Sequence, residues 1–389
     1  MKKTLIALAA LGAMAGAAQA QSTVTIYGLL DANIGSYKTN QVNAAGTAVS
    51  GISQAKIDSG GLNGSRWGIR VSEDIGGGMA VIGNLESGFN LDAGSSAQGG
   101  LLFGRRANVG ISSGFGTVTI GRNSSSYDDV SGDHAMMGAT LFDPSNTNNG
   151  FSTAQAGAIG TSLAANAILL NHNGNGSGAH VTWVGFNTRF NNSVKYVSPN
   201  FGGFTGSFMY AFGEDKTTAV SASNSISANL KYANGPLLIS GGYQSEGATR
   251  TATTKPALVN TLLNVSYDFG VAKVGFGANR AKFKDVLTTF RTGVSHELAA
   301  QKEYSLSVAV PLGATTLSAG YARSKGDDLG SSTGWGIQAL YALSKRTTLY
   351  TGAVSTKNYD NVANSTMLLA PTSSITRTTT YAAGIRHTF

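Results

Sequence analysis

The side chains able to do chemistry fall at alternate positions. Arg66, Arg70, Arg189, Lys195, Lys231, Lys273 and Arg386 each lie on a polar parity that opposes an apolar one, and Asp31, Asp74, Glu86 and Asp268 share that side. Charges spread in this way act through space. A wall of fixed charge concentrates ions of opposite sign without making or breaking a bond. Bond-making patterns are weak by comparison. Gly110-Ile111-Ser112-Ser113-Gly114 matches the nucleophile-elbow spacing, but it leads into a short strand turn instead of a helix. His134, His172, His180, His296 and His387 lack metal-ligand spacing. The absence of cysteine removes thiol catalysis and a disulfide scaffold. No metal or cofactor is expected.

The elements that must position these charges are strands. Val24, Ile26, Leu30 and Ile34 oppose Thr25, Asp31 and Asn33; Leu263, Val265, Tyr267 and Phe269 oppose Asn264, Ser266 and Asp268; similar segments recur along the chain. Successive side chains of a strand point to opposite faces, so each segment has one apolar and one polar face. A soluble sandwich would alternate in the same way. The segment Thr379–Phe389 is more specific. Tyr381, Ala383, Ile385, His387 and Phe389 share one side, and Ala382, Gly384, Arg386 and Thr388 the other. An apolar edge strand closed by an aromatic residue invites aggregation in water. A closed barrel in lipid removes the edge and wants apolar side chains outside.

Composition agrees. The chain has 52 Gly, 6 Pro and 12% charged residues among 389. Residues 1–20, with Lys2, Lys3, an apolar run and Ala18-Gln19-Ala20, read as a cleaved signal peptide. Its removal lowers the formal charge of +8 by two. Beyond it no apolar run is long enough for a spanning helix, and residues 21–389 read as one domain. Seven short turns alternate with eight longer polar connections, among them Ser124–Val181, the longest, and Ser324–Thr333. Sixteen strands follow. The all-β expectation is therefore a transmembrane antiparallel β-barrel of 16 strands, wide enough for an aqueous channel.

The chain resembles the general porins of Gram-negative outer membranes. The resemblance rests on Val24-Thr25-Ile26-Tyr27-Gly28 with Asp31, Ser65-Arg66-Trp67-Gly68, Phe115-Gly116 leading to Ile120-Gly121-Arg122, Arg189 with Asn192–Tyr196, Ser198-Pro199 with Phe201, and Gly384–Phe389. It implies a homotrimer, passive diffusion of small hydrophilic solutes and ions, and a long third loop folded into the lumen. It also implies a basic wall opposite acidic groups of that loop, and an assembly machinery that reads Phe389.

Parity and resemblance together nominate Arg66 and Arg189 for the wall, and parity adds Arg70. For the next strand they disagree: resemblance selects Arg105, whereas parity with Ala107, Val109 and Ile111 turns Arg106 inward; Arg105 is preferred, since a strand at a subunit interface need not show lipid-type alternation. Asp128, Asp129 and Asp133 are the acidic candidates, with Asp143 a poorer one; the plainer alternative is that they are solvated loop charges or pair with nearby arginines. Asp31, Glu86, Lys195, Lys231 and Arg386 complete the lumen-facing charges; Arg122 is a candidate for fixing the loop base. The surplus of cations over acids predicts a weak anion preference. Cations spread without a clustered patch argue against nucleic acid and for lumen and lipopolysaccharide contacts. A substrate-specific channel would need more strands or an aromatic track in the lumen. A barrel hydrolase would need a Ser/His pair at one rim.

Overall fold

The structure is a computed structural model that describes residues 22–42, 47–51, 53–138, 140–145, 182–248, 250–288, 294–363 and 374–389. Sixteen strands form the wall: β1 Thr23–Val42, β2 Arg66–Gly76, β3 Met79–Asn90, β4 Arg106–Ser113, β5 Gly116–Ser124, β6 Arg189–Val197, β7 Phe204–Ala211 and β8 Ser225–Asn234 make the first half. The second half is β9 Leu237–Gly247, β10 Ala257–Asp268, β11 Lys273–Lys284, β12 Gln301–Leu312, β13 Thr315–Gly326, β14 Gly330–Ala342, β15 Thr347–Lys357 and β16 Ser374–Thr388. Each strand pairs antiparallel with the next in sequence. β16 pairs with β1 from Leu29↔Thr388 to Val42↔Ser374, which closes the sheet on itself. Closure satisfies the backbone of both would-be edge strands, the condition for crossing hydrocarbon with strands.

The two faces differ as the alternation predicts. Ile26, Ile34, Leu230, Leu263, Leu306, Tyr321, Trp335, Tyr381 and Ile385 are exposed on the outer face; Ile26 is 68% accessible and Leu230 59%. A continuous belt of this kind is untenable in water and expected against lipid. No described helix is long and apolar enough to cross a membrane. The inner face is polar and close-packed: Ser227, Gln244, Asn260, Asn264, Ser307 and Gln301 are buried there.

Two connections depart from the sequence reading. Ser324–Thr333 is not a long loop, because β13 and β14 continue through Gly326↔Gly330 and leave only residues 327–329 between them. Polarity at those positions marks wall that rises beyond the apolar belt, not the end of a strand. The first long connection also contains a strand, Ser53–Ser59, which pairs with residues 32–38 of β1 and raises the wall there.

The described part of the third connection, Ser125–Ser145, lies along the inner face. The Ser126 N–H donates to Ser227 Oγ (2.8 Å), the Tyr127 hydroxyl to Asn279 Oδ1 (3.1 Å) and the Met136 N–H to Ser307 Oγ (2.9 Å). Asn264 Nδ2 donates to the Val130 carbonyl (2.7 Å), and the Leu141 N–H to the Gly61 carbonyl (2.7 Å). The path is so tight that a Cβ on Gly275 would collide with the His134 carbonyl, and one on Gly336 with the Phe142 carbonyl. Glycine is required there by proximity, not by turn geometry. His134 stacks on Trp183 with ring centroids 4.9 Å apart and pairs with Asn264 Oδ1 at 2.9 Å. Burial lowers its imidazole pKa, so the ring stays neutral. His172, His180 and the Asn171–Gly178 tract lie outside the described residues.

Candidate functional site

The basic wall is assembled by β2, β3, β4 and β6. Arg66 opens β2, pairs with Gly88 of β3 and donates from Nε to the Gly64 carbonyl (3.1 Å). Four residues along the same face, the Arg70 guanidinium lies over the Tyr27 ring, 4.0 Å from its centroid. Stacking holds the cation without neutralising it. Arg189 opens β6, donates to Thr188 Oγ1 (2.9 Å) and feels the charges of Arg105 and Asp128.

Glu86 organises this wall. Its carboxylate accepts from the Tyr27 hydroxyl (2.8 Å) and from Arg105 Nε (2.7 Å). The conflict between Arg105 and Arg106 dissolves at the same residue. The Arg105 N–H donates to the Glu86 carbonyl (3.1 Å), while Arg106 is the register partner of Glu86. Two residues thus oppose one, as in a β-bulge, and a bulge re-aims a side chain that alternation would send outward. Arg105 ion-pairs with Glu86, and Arg106 lies on the face of Glu86 with Arg70, Asn84, Asn108, Asp129 and Lys195 around a recess of about 560 Å³. Arg122 ties Gly104 to Asn191, through Nε to the Gly104 carbonyl (2.8 Å) and Nη1 to Asn191 Oδ1 (2.6 Å).

The acidic candidates sit on or beside a single helical turn, α1 Asp128–Ser131, opened by Ser125 Oγ accepting the Asp128 N–H (3.0 Å). Asp129 pairs with Lys195 (2.6 Å) and Asp133 with Lys231 (2.9 Å). Burial pushes the Asp128 carboxyl up to about 6 against the opposing pull of Arg189. Asp143 is turned into its own loop, where it accepts from the Ser145 N–H (2.9 Å) and hydroxyl (2.7 Å).

Two other predicted charges are held in place by neighbours. Buried Asp31 accepts three N–H bonds, from Gly61, Leu62 and Asn63 (3.1, 2.9 and 2.7 Å), and the Tyr350 hydroxyl (2.5 Å). It pins the connection that Leu141 also touches. Arg386 donates to Asn63 Oδ1 (3.1 Å). Phe389 exchanges both backbone bonds with Gly28 (3.0 and 3.1 Å), and its ring covers the place where a Gly28 Cβ would project.

Sequence reasoning missed Glu246 and Glu303. They accept the Asn187 N–H (2.7 Å) and the Val184 N–H (2.5 Å), anchoring the segment that leads back to β6. Both lie on the polar parity of their strands, beside Gln244 and Gln301, so strand alternation could have found them. The arrangement as a whole is a lumen face rich in arginine and lysine, with carboxylates placed among them.

The geometry agrees with known proteins. The chain is 32% identical over 370 residues to outer membrane porin protein 32 of Delftia acidovorans, covering 92% of this chain and 91% of that one. It is 33% identical over 299 residues to an outer membrane porin protein of Bordetella pertussis, with 72% and 69% covered. The solved anion-selective porin from Comamonas acidovorans superimposes with a TM-score of 0.71 at 27% identity, over 95% of this chain and all of that one. The Gram-negative porin family model matches residues 7–361, and the chain belongs to that family.

Proposed function

We propose that the protein is a water-filled channel of the Gram-negative outer membrane that passes small hydrophilic solutes and ions and prefers anions. Family and closed barrel support a multi-pass outer-membrane channel in place of an enzyme. The observation that carries the preference is the charge count at the candidate basic wall and the loop acids beside it. Arg66, Arg70, Arg105, Arg106, Arg189, Lys195 and Lys231 outnumber Glu86, Asp128, Asp129 and Asp133, and three of those acids are already paired with cations. The likeness to an anion-selective porin points the same way. A net positive constriction raises the local anion concentration and lowers the anion's entry barrier.

In this reading Ser125–Ser145 lies in the lumen and narrows it. Asp128, beside Arg189 and Arg105, opposes the basic wall, and the loop acids together set a transverse field that orients dipolar solutes. Residues 1–20 are a signal peptide, the working unit is a homotrimer, and the assembly machinery reads Phe389. Planar-bilayer recording under a salt gradient tests the reading. Stepwise conductance in threes, with a zero-current potential on the anion side, is expected; silent bilayers from folded barrel would overturn it. Deleting Phe389 is expected to lower surface levels more than it alters any residual channel.

A further inference from the structure

Glu303 of β12 is fully buried on the inner face, on the half of the wall away from the arginines of β2 and β6. Donors surround it, and no cation does. Oε1 accepts the Val184 N–H (2.5 Å) and lies 3.1 Å from the Ser324 hydroxyl, and Oε2 accepts from Asn279 Nδ2 (2.6 Å). Among the described residues it makes no ion pair. A buried carboxylate without a counter-charge is costly unless donors satisfy it, so this place is built for a group that only accepts.

Those donors lead to both ends of the third connection. Asn279, Glu303 and Ser324 form one row of β11, β12 and β13 through the register pairs Asn279↔Glu303 and Glu303↔Ser324. Asn279 Oδ1 accepts the Tyr127 hydroxyl (3.1 Å), which belongs to the outgoing limb. Val184 belongs to the returning limb, residues 182–188. The Tyr359 hydroxyl reaches the Thr182 carbonyl of that limb (3.3 Å) as well as Ser324 Oγ (3.2 Å). The limbs also touch each other, with the Tyr127 and Phe186 ring centroids 4.6 Å apart. Glu303 is thus a junction of the two limbs.

Each limb carries a charge of the site just beyond that junction. Asp128 follows Tyr127 directly, and Arg189 opens β6 shortly after Val184. The two charges feel each other: Arg189 favours the ionised Asp128 carboxyl while burial opposes it. Their separation depends on where Tyr127 and Val184 are held, and both are held at Glu303. Glu246 lacks this reach, because its bonds go to Asn187 and Gln244, on the returning side alone.

We propose that Glu303 is a positioning residue for ion selection, which holds Asp128 against Arg189 by tying both limbs of the third connection to the opposite half of the wall. This role rests on the proposed channel activity. Held there, Asp128 offsets part of the Arg189 charge and moderates the anion preference. A side chain that donates at this position meets Asn279 Nδ2 or the Val184 N–H as donor against donor, and the junction opens.

The test is planar-bilayer recording at about 0.1 M salt, where wall charges are incompletely screened, and at about pH 7.5, where Asp128 is ionised. It compares the wild type with Glu303→Gln, Asp128→Asn, Glu303→Gln/Asp128→Asn, and the exchange Glu303→Gln/Asn279→Asp. The readout is the anion-to-cation permeability ratio from the zero-current potential. Glu303→Gln is expected to raise the ratio about twofold, because Arg189 loses its opposing acid. Asp128→Asn is expected to raise it as much, and Glu303→Gln to add nothing in that background. The exchange restores the pattern of donors and acceptors. The new amide donates to the new carboxylate, which still accepts the Tyr127 hydroxyl. Asn260, whose Nδ2 finds no partner among the described residues, can turn that group toward the same carboxylate. The ratio of the exchange variant is expected to return to the wild-type value. A Glu303→Gln shift that persists undiminished in the Asp128→Asn background would overturn the proposal, since it would report only the lost charge of Glu303 itself. An exchange that leaves the ratio at the Glu303→Gln value would overturn it too. Should Glu303→Gln not fold, Tyr127→Phe removes only the hydroxyl that reaches Asn279; a smaller rise is expected, and no rise counts against the proposal. A wild type that forms no channel overturns the channel and this role together, whereas an anion-preferring wild type with an unmoved Glu303→Gln overturns the role alone.

Discussion

The inner wall and the outer rim use the same side chains in opposite ways. Inside, each cluster of cations has carboxylates among it: Arg105 meets Glu86, Lys195 meets Asp129, and Lys231 meets Asp133. Outside, Arg280, Lys302 and Lys325 stand in one row with no acid on their face. Mixed signs give a field with direction and modest net charge, suited to solutes that must enter and leave. A single sign gives a surface without such direction. The inner face is also crowded, with a chain segment pressed against its glycines, while the outer face offers its side chains freely to their surroundings.

The contrast can be broken most strongly at the crowding. Gly336→Val places side-chain atoms where the Phe142 carbonyl lies. Overpacking of this kind costs about 1–3 kcal/mol. The variant is expected to unfold at lower temperature and, where it folds, to show a larger single-channel conductance because the segment leaves the wall. A change of similar size at outward-facing Ser331 is expected to do neither. The next effect is on selectivity. Arg66→Ser with Arg189→Ser is expected to shift the zero-current potential toward cations, with a several-fold loss of anion preference at about 0.1 M salt. The loss shrinks near 1 M, where the Debye length is ~3 Å. An unchanged potential at low salt would mean that these arginines do not line the narrowest part.

A smaller effect is expected from pH. Asp128 has its carboxyl raised to about 6, so it is ionised at pH 7.5 and neutral at pH 5. Protonation removes one negative charge from the inner face, and anion preference should therefore rise as pH falls through 6. Asp128→Asn should flatten that part of the profile. The sign for stability is the same: a carboxyl whose pKa is raised by folding costs stability when ionised, and the cost fades as pH falls. The smallest effect sharpens the comparison. Arg280→Ser/Lys302→Ser/Lys325→Ser should leave the zero-current potential within error, because the wall and the salt screen those charges from the lumen. A shift as large as that of the Arg66 and Arg189 pair would erase the distinction between the faces.

Much of this architecture was legible in the residues. Tyr381, Ile385 and Phe389 against Arg386 announce a barrel strand, and the alternation of short and long connections gives the strand number. The errors have identifiable causes. Ser324–Thr333 reads as a loop because polarity resembles a strand end, whereas these strands rise past the apolar belt. Arg105 and Arg106 could not be ordered by parity, since a bulge at Glu86 resets it. The outer row was invisible because Arg280, Lys302 and Lys325 are far apart in sequence and meet only through register. Asp128, Asp129 and Asp133 could be nominated by type, but which cation each would meet depends on the path of a segment that has no periodicity to read.

The seam at Gly28 and Phe389 has a kinetic consequence. Asp31 and Tyr350, which meet close to it, are already 319 positions apart, and the Gly28–Phe389 pair that completes the cylinder is more distant in sequence still, so closure is among the most non-local contacts this chain can make. Loop-closure entropy makes such contacts late and slow. Until then every partly formed sheet has two free edges, with one face greasy, which is the geometry that aggregates. Maturation should therefore behave as a race between ring closure and precipitation. Chaperoning of the open sheet would set the yield, and the closed ring, having no end from which to fray, should be lost only slowly once made.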